Sequence, residues 1–185
     1  INNNSFFFLQ RLDNETGGKE SLIRLDKFDG HRYWLIDSEA ISTPSSNTLW
    51  NNQNNLLING VENILSINYN DGSLNWEELL SDQNLFGETF IEIIDGYYYQ
   101  GRRDKFYHQD KCFLTQGNCE TGQIINLYRA DNEGDHSPSI SPPSKWINSE
   151  GQIMLLFKVS YGVWGSPLSG YYGDLVMYNL NTGES

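Results

Sequence analysis

Alanine occupies only two of 185 positions, Ala40 and Ala130, whereas asparagine fills 21 and glycine 17. Alanine loses least on entering a helix, while asparagine and glycine favour turns and weaken helix interiors. A helical bundle is therefore excluded. The chain also holds 20 leucines, 15 isoleucines, 11 tyrosines and 9 phenylalanines, so 38% of it is hydrophobic and 14% aromatic, too much apolar surface for a disordered segment. What remains is an all-β chain, and its length suits one domain spanning residues 1–185.

Short apolar or alternating stretches bounded by Gly, Asn, Asp and Pro predict strands at Ser5–Gln10, Ser21–Asp26, Arg32–Asp37, Leu56–Asn59, Asn63–Tyr69, Phe86–Ile94, Gln123–Arg129, Gln152–Ser160 and Tyr171–Leu180. One helical turn is expected at Asn75–Leu80, with Asn75 as cap and Glu78 at the capping-box position. Several strands end in an Asx-rich turn closed by glycine, at Gly30, Gly72, Gly134 and Gly183. Recurrence of strand, turn and strand at this spacing is what propeller blades produce, because each blade is a small antiparallel sheet. A β-sandwich or jelly roll with recurring hairpins is the alternative fold.

Twelve basic against 24 acidic side chains give a net charge of -12, which repels phosphate backbones and anionic headgroups, so nucleic acid is not an expected partner. The longest apolar runs, Phe6–Leu9 and Ile153–Phe157, are too short to cross a bilayer, and no membrane insertion is expected. The chain begins at Ile1, and we read it as an exported protein, extracellular or at a cell surface. Two sequons, Asn3-Asn4-Ser5 and Asn14-Glu15-Thr16, are compatible with export. So is a disulfide between Cys112 and Cys119, if Gln116-Gly117-Asn118 forms a turn that brings the two together.

Three stretches carry a family resemblance: Phe86–Tyr99 with its Asp-Gly-Tyr-Tyr, Ile125–Ala130, and Ser139–Trp146 followed by Gly151–Phe157. Together they resemble the blades of five-bladed β-propeller glycosidases and their non-catalytic relatives, over about half the chain. Asp71-Gly-Ser-Leu-Asn-Trp76 resembles a degenerate Asp-box turn. The resemblance implies blades whose inner strands end near a ligand. A five-bladed ring needs a longer chain, so these 185 residues would form a fragment of a larger propeller or a different fold with similar hairpins.

Candidate chemistry centres on Gly96–Asp110, where Arg102, Arg103 and Lys105 fall among four tyrosines. Tyrosine faces and planar arginine forks suit a sugar, especially an acidic one. Tyr97, Tyr98, Tyr99, Arg102, Arg103, Tyr107 and His108 are the expected ligand-binding residues, joined by Trp164 from the glycine- and aromatic-rich stretch 162–173, which also offers Tyr171 and Tyr172. The competing structural reading is an edge hairpin with half-buried tyrosines and arginines matched by Asp104 and Asp110.

Glycoside hydrolysis would need a carboxyl pair, and under the propeller resemblance Asp37, Glu88 and Asp104 are its weak candidates. His31, His108 and His136 lack zinc-site spacing. Calcium is the one cofactor with a candidate loop, Asp131, Glu133 and Asp135. The functional expectation is a recognition domain for a polysaccharide or cell-surface glycan. Its alternatives are a propeller-type glycoside hydrolase or lyase, and a self-assembling structural subunit of an extracellular filament in which Ser5–Gln10 pairs with a neighbour's edge.

Overall fold

A computed structural model describes residues 5–11, 20–36, 44–51, 54–60, 63–79, 85–104, 111–133, 136–162 and 172–185. Every regular element among them is a strand, and the strands form four antiparallel sheets. Sheet 1 comprises β1 (Ser5–Arg11), β2 (Glu20–Asp26) and β3 (Arg32–Ile36) in that order. Sheet 2 is the meander β4 (Pro44–Asn51), β5 (Asn55–Gly60), β6 (Asn63–Asn68) and β7 (Leu74–Leu79). Sheet 3 repeats it with β8 (Leu85–Ile94), β9 (Tyr97–Asp104), β10 (Lys111–Asn118) and β11 (Ile124–Asp131). In sheet 4, β12 (Ser137–Ile140) and β13 (Ser144–Ile147) pair with the same edge of β14 (Ile153–Gly162), and β15 (Tyr172–Asn179) pairs with the other. Ser141-Pro142-Pro143 interrupts what is otherwise one strand, since proline cannot donate to a ladder.

The sheets stack face to face in chain order. Leu22 and Trp34 of sheet 1 pack with Leu56, Ile58, Leu65 and Ile67 of sheet 2. Leu57 and Ile64, on the other face of sheet 2, pack with Ile91 and Tyr98 of sheet 3. The far face of sheet 3 contributes Tyr99, Cys112 and Leu114 to a core with Leu155, Phe157 and Val159 of sheet 4. Because sheet 2 is covered on both sides, β6 is buried at five consecutive positions and loses the alternation of a half-exposed strand.

Four equivalent turns set the repeat. After β2, β6, β10 and β15, an Asx residue (Asp26, Asn68, Asn118 or Asn179) caps its own turn with Oδ1, and its carbonyl accepts from a glycine four residues on. Those glycines are Gly30, Gly72, Gly122 and Gly183, all in the left-handed region. Gly72 and Gly122 answer a second demand. A Cβ on Gly72 would lie 3.0 Å from Trp34 Cδ2, and one on Gly122 2.8 Å from Trp76 Cδ2. Each indole thus lies against the turn of the following sheet, and its Nε1 donates to that turn, to the Tyr69 carbonyl at 3.0 Å and the Cys119 carbonyl at 3.2 Å.

Several expectations change. The third repeat glycine is Gly122; the segment leading to Gly134 is strand as far as Asp131, and Gly134 itself lies outside the described residues. Asn75–Leu79 is strand and not helix, because β7 pairs with β6 and half-buries alternate side chains, Trp76 and Glu78. Ser5–Gln10 falls in β1, an edge strand of sheet 1 that pairs along one side with β2 of its own chain. Cys112 and Cys119 form no disulfide: Cys112 lies near the start of β10 and Cys119 just past its end, so seven residues of extended chain separate them by roughly 23 Å, far beyond disulfide reach. Gln116-Gly117-Asn118 is strand, paired with Tyr99, Tyr98 and Tyr97. Burial pushes the Cys119 thiol up to about 12, the value of an inert core cysteine.

Candidate functional site

Strand direction divides the stack into two ends. At one lie the four Asx-glycine turns and the hairpin turn Asp95-Gly96, whose φ values of 51° and 81° suit a tight two-residue connection. At the other lie the ends of β3, β7, β9, β11 and β14 and the starts of β8, β10, β12 and β15. Two candidate carboxylates fall at this second end. Asp104 closes β9, and Asp131 closes β11. Asp37, Tyr107, His108, Asp135 and Trp164 lie outside the described residues. Glu88 lies within β8, outside the described side chains.

The arginine–tyrosine segment divides by strand alternation. Tyr98, Gln100 and Arg102 face sheet 2 and are fully buried. Arg102 forms a two-pronged ion pair with Glu78 of β7, Nη1 to Oε1 and Nη2 to Oε2, both 2.7 Å. Its Nε donates to Gln100 Oε1 at 3.2 Å. The Tyr98 hydroxyl donates to Glu78 Oε2 at 3.0 Å, and Gln100 Nε2 donates to Asn59 Oδ1 at 2.9 Å. Burial, and next the Glu78 charge, hold the Tyr98 hydroxyl far above the usual tyrosine range. Tyr98 lies so close over β10 that a Cβ on Gly117 would sit 1.9 Å from its Cζ.

Tyr98 and Arg102 are therefore core residues, and the expectation that they bind ligand is corrected. The partner of Arg102 is Glu78, where the edge-hairpin reading expected Asp104 or Asp110. Tyr99 is buried on the sheet 4 side, with its hydroxyl accepting from Gln116 Nε2 at 2.7 Å. Tyr97 is half-exposed at the turn end, roughly 20 Å along β9 from Arg103. The described residues of the segment thus make no single ligand surface.

The structure gathers another set at the open end of sheets 3 and 4. Tyr161 at the end of β14 stacks on Tyr172 at the start of β15, with ring centroids 5.4 Å apart and planes 18° apart. His136 meets the Tyr172 ring edge-on at 5.3 Å. The Tyr172 hydroxyl donates to Glu133 Oε2 at 2.9 Å, and this bond raises its pKa above the ordinary tyrosine value. Asp174, two residues along β15, is exposed, and its charge adds to the rise at Tyr172, Tyr161 and Tyr128. Tyr161 is buried, whereas Tyr172 is 45% exposed, so the stack has an anchored base and an open upper ring.

This arrangement also bears on calcium. Asp131 pairs with Arg129, and Glu133 accepts from Tyr172, so both carboxylates already have protein partners. Among the described residues no group of three His, Cys, Asp or Glu side chains is placed to hold a metal ion. Glu133 and His136 were read in the sequence as a cation ligand and a scattered histidine. Their pairing across the β11–β12 connection, an antiparallel bridge between residues 133 and 136, was not visible there.

No family model matches the sequence, and no curated protein matches it. Among solved structures, a europium-containing methanol dehydrogenase aligns with 72% of this chain and 24% of its own, at 11% identity and a TM-score of 0.50. The dihydro-heme d1 dehydrogenase NirN, in complex with DHE, aligns with 97% of this chain and 38% of its own, at 12% identity and a TM-score of 0.49. BamB from Moraxella catarrhalis aligns with 97% of this chain and 62% of its own, at 13% identity and a TM-score of 0.38. The chain thus spans less than two thirds of each.

The methanol dehydrogenase is a β-propeller, and the stacked four-stranded meanders of sheets 2 and 3 are blades of that fold. The expected propeller-like, all-β architecture is found. The resemblance to glycosidases in particular is not, since at 11% identity the methanol dehydrogenase shows the propeller fold alone.

Proposed function

We propose that this chain is a non-catalytic recognition segment of a β-propeller that binds a glycan at the open end of sheets 3 and 4. The observation that carries the proposal is the Tyr161–Tyr172 stack, buried at its base and exposed at its top, with Glu133 and Asp174 beside it. Aromatic faces stack on the apolar faces of pyranose rings, and carboxylates accept from sugar hydroxyls. With two carboxylates at the platform and a net charge of -12, the favoured ligand is neutral. That departs from the acidic sugar expected when Arg102 was read as exposed.

A hydrolytic or lyase reading needs two carboxyl groups facing across a cleft. At this platform Glu133 is engaged by a tyrosine hydroxyl, which supports a binder. Placement outside the cell belongs to the same proposal and rests on the two sequons, since the disulfide no longer supports it.

Isothermal titration with neutral and uronic-acid oligosaccharides tests the reading. Neutral ligands should bind, and Tyr172→Ala and Glu133→Gln should each weaken binding by about 1–3 kcal/mol with little change in melting temperature. No binding by the wild type, or binding confined to acidic sugars, would remove the proposal.

A further inference from the structure

Tyr172, Asp174, Val176 and Tyr178 occupy alternate positions of β15 and so share one face of sheet 4. Val176 and Tyr178 pack in the core that sheets 3 and 4 form between them, as does Tyr161. The Tyr161–Tyr172 stack therefore sits at the open end of an interface the chain completes by itself, on the side of sheet 4 that meets sheet 3. Tyr161 is buried there and Tyr172 is exposed, so the lower ring holds the upper one in place before any ligand arrives.

Charge is unbalanced at this point. Glu133 Oε2 accepts from the Tyr172 hydroxyl at 2.9 Å, and Asp174 is exposed on the same face two residues along the strand. That hydrogen bond first, and the charges of both carboxylates with it, raise the Tyr172 hydroxyl above the ordinary tyrosine value. Among the described residues neither carboxylate has a cation within ion-pair distance. Arg129 of β11 pairs with Asp131, and Lys158 of β14 lies on the outward face of sheet 4, out of phase with Phe157 and Val159. His136 flanks the Tyr172 ring edge-on at 5.3 Å, with its Nδ1 3.3 Å from the Glu133 carbonyl.

We propose that this platform binds a quaternary ammonium, seated on the exposed ring of Tyr172 and facing Glu133 and Asp174. The quadrupole of an aromatic ring attracts a cation placed over its face, more strongly where water is partly excluded. A phenol that donates to a carboxylate gains electron density in its ring, so the Glu133 bond strengthens this attraction. A methylated ammonium has no N–H to satisfy and sheds water easily. It asks only for an aromatic face in a negative field, and the stack with its two carboxylates provides both. A neutral sugar stacks on the same ring through its apolar face, so the two ligands compete for one seat.

Isothermal titration of the whole chain with choline, and with its uncharged carbon isostere in which a tert-butyl group replaces the trimethylammonium, tests this. The two probes match in shape and differ in charge, so choline should bind about tenfold more tightly. Added salt should weaken choline binding and leave the isostere unaffected. Tyr172→Ala should remove choline binding, and Glu133→Gln and Asp174→Asn should each weaken it about threefold, with the circular dichroism spectrum of the wild type retained. Equal affinity for the two probes overturns the proposal, as does a wild type that binds no choline, or choline binding that survives Tyr172→Ala. The comparison of probes needs the wild type alone, so it holds even where a variant folds poorly. Choline and sugars are titrated separately, and either ligand can fail without the other.

Discussion

Sheet 3 meets its two neighbours by different chemistry. Toward sheet 2 it presents Tyr98, Gln100 and Arg102, held by Glu78 and Asn59 in a network of hydrogen bonds. Toward sheet 4 it presents Tyr99, Cys112 and Leu114 to leucine, phenylalanine and valine. Both sets include alternate residues of the same strand, β9, so the period-2 geometry of a strand lets one segment serve two unlike interfaces. The apolar interface gains stability by removing area from water, and it tolerates any filling of similar volume. The polar interface gains little net stability from its buried pair but is costly to leave half made, so it holds the two sheets to one register.

The largest expected effect breaks the polar side. Arg102→Ala strands the Glu78 carboxylate, whose side chain is only 11% exposed, and should cost about 3–5 kcal/mol in urea unfolding. Adding Glu78→Leu to Arg102→Met should recover most of that loss. If the double replacement is as unstable as Arg102→Ala, the network is worth more than its desolvation cost and the contrast between the interfaces is wrong. Next in size is Gly117→Ala, which must displace the Tyr98 ring and should cost about 1–3 kcal/mol. A neutral outcome would mean that Tyr98 is not clamped against β10.

A smaller effect separates the interfaces by pH. The folded protein holds Tyr98 protonated well above the ordinary value of 10.0. In the unfolded chain that proton is released near 10.0, so the stability is complete below this value and declines as pH rises past it. Tyr98→Phe should flatten the alkaline decline of stability measured by urea unfolding on either side of that value. An unchanged slope would assign the decline to the other tyrosines with raised values, among them Tyr99 and Tyr161 on the apolar side. The smallest expected effect is none: reductant should change neither mass nor melting temperature. Both thiols should react with an alkylating reagent only after unfolding, because both are buried and neither is in a disulfide.

Nine strand segments were legible in the sequence because each is a short apolar run between turn formers. The misses share a cause. β7 reads as a capped helical turn because Asn75, Glu77 and Glu78 suit a helix start, but pairing with β6 overrides so short a propensity. β10 was hidden because its Gln-Gly-Asn reads as a turn, whereas Gly117 is there to admit the Tyr98 ring. The repeat was recognised with one wrong member, Gly134, because glycine alone does not mark phase. A tryptophan four residues after the glycine, as in Trp34 and Trp76, marks it better, since that indole must lie on the next turn.

Composition by itself determined the fold class: with two alanines against 21 asparagines, helix is disfavoured at nearly every turn of the chain, and hairpins are cheap. Charge likewise fixed a net value of -12, and with it a negative overall field. Only the tertiary structure decided which tyrosines and arginines are available to a ligand. Successive residues of a strand point to opposite faces, and whether a face meets water or another sheet depends on segments far away in the chain. Arg102 faces Glu78, 24 residues earlier, and is buried; Tyr172 reaches Glu133, 39 residues earlier, and stays open to solvent.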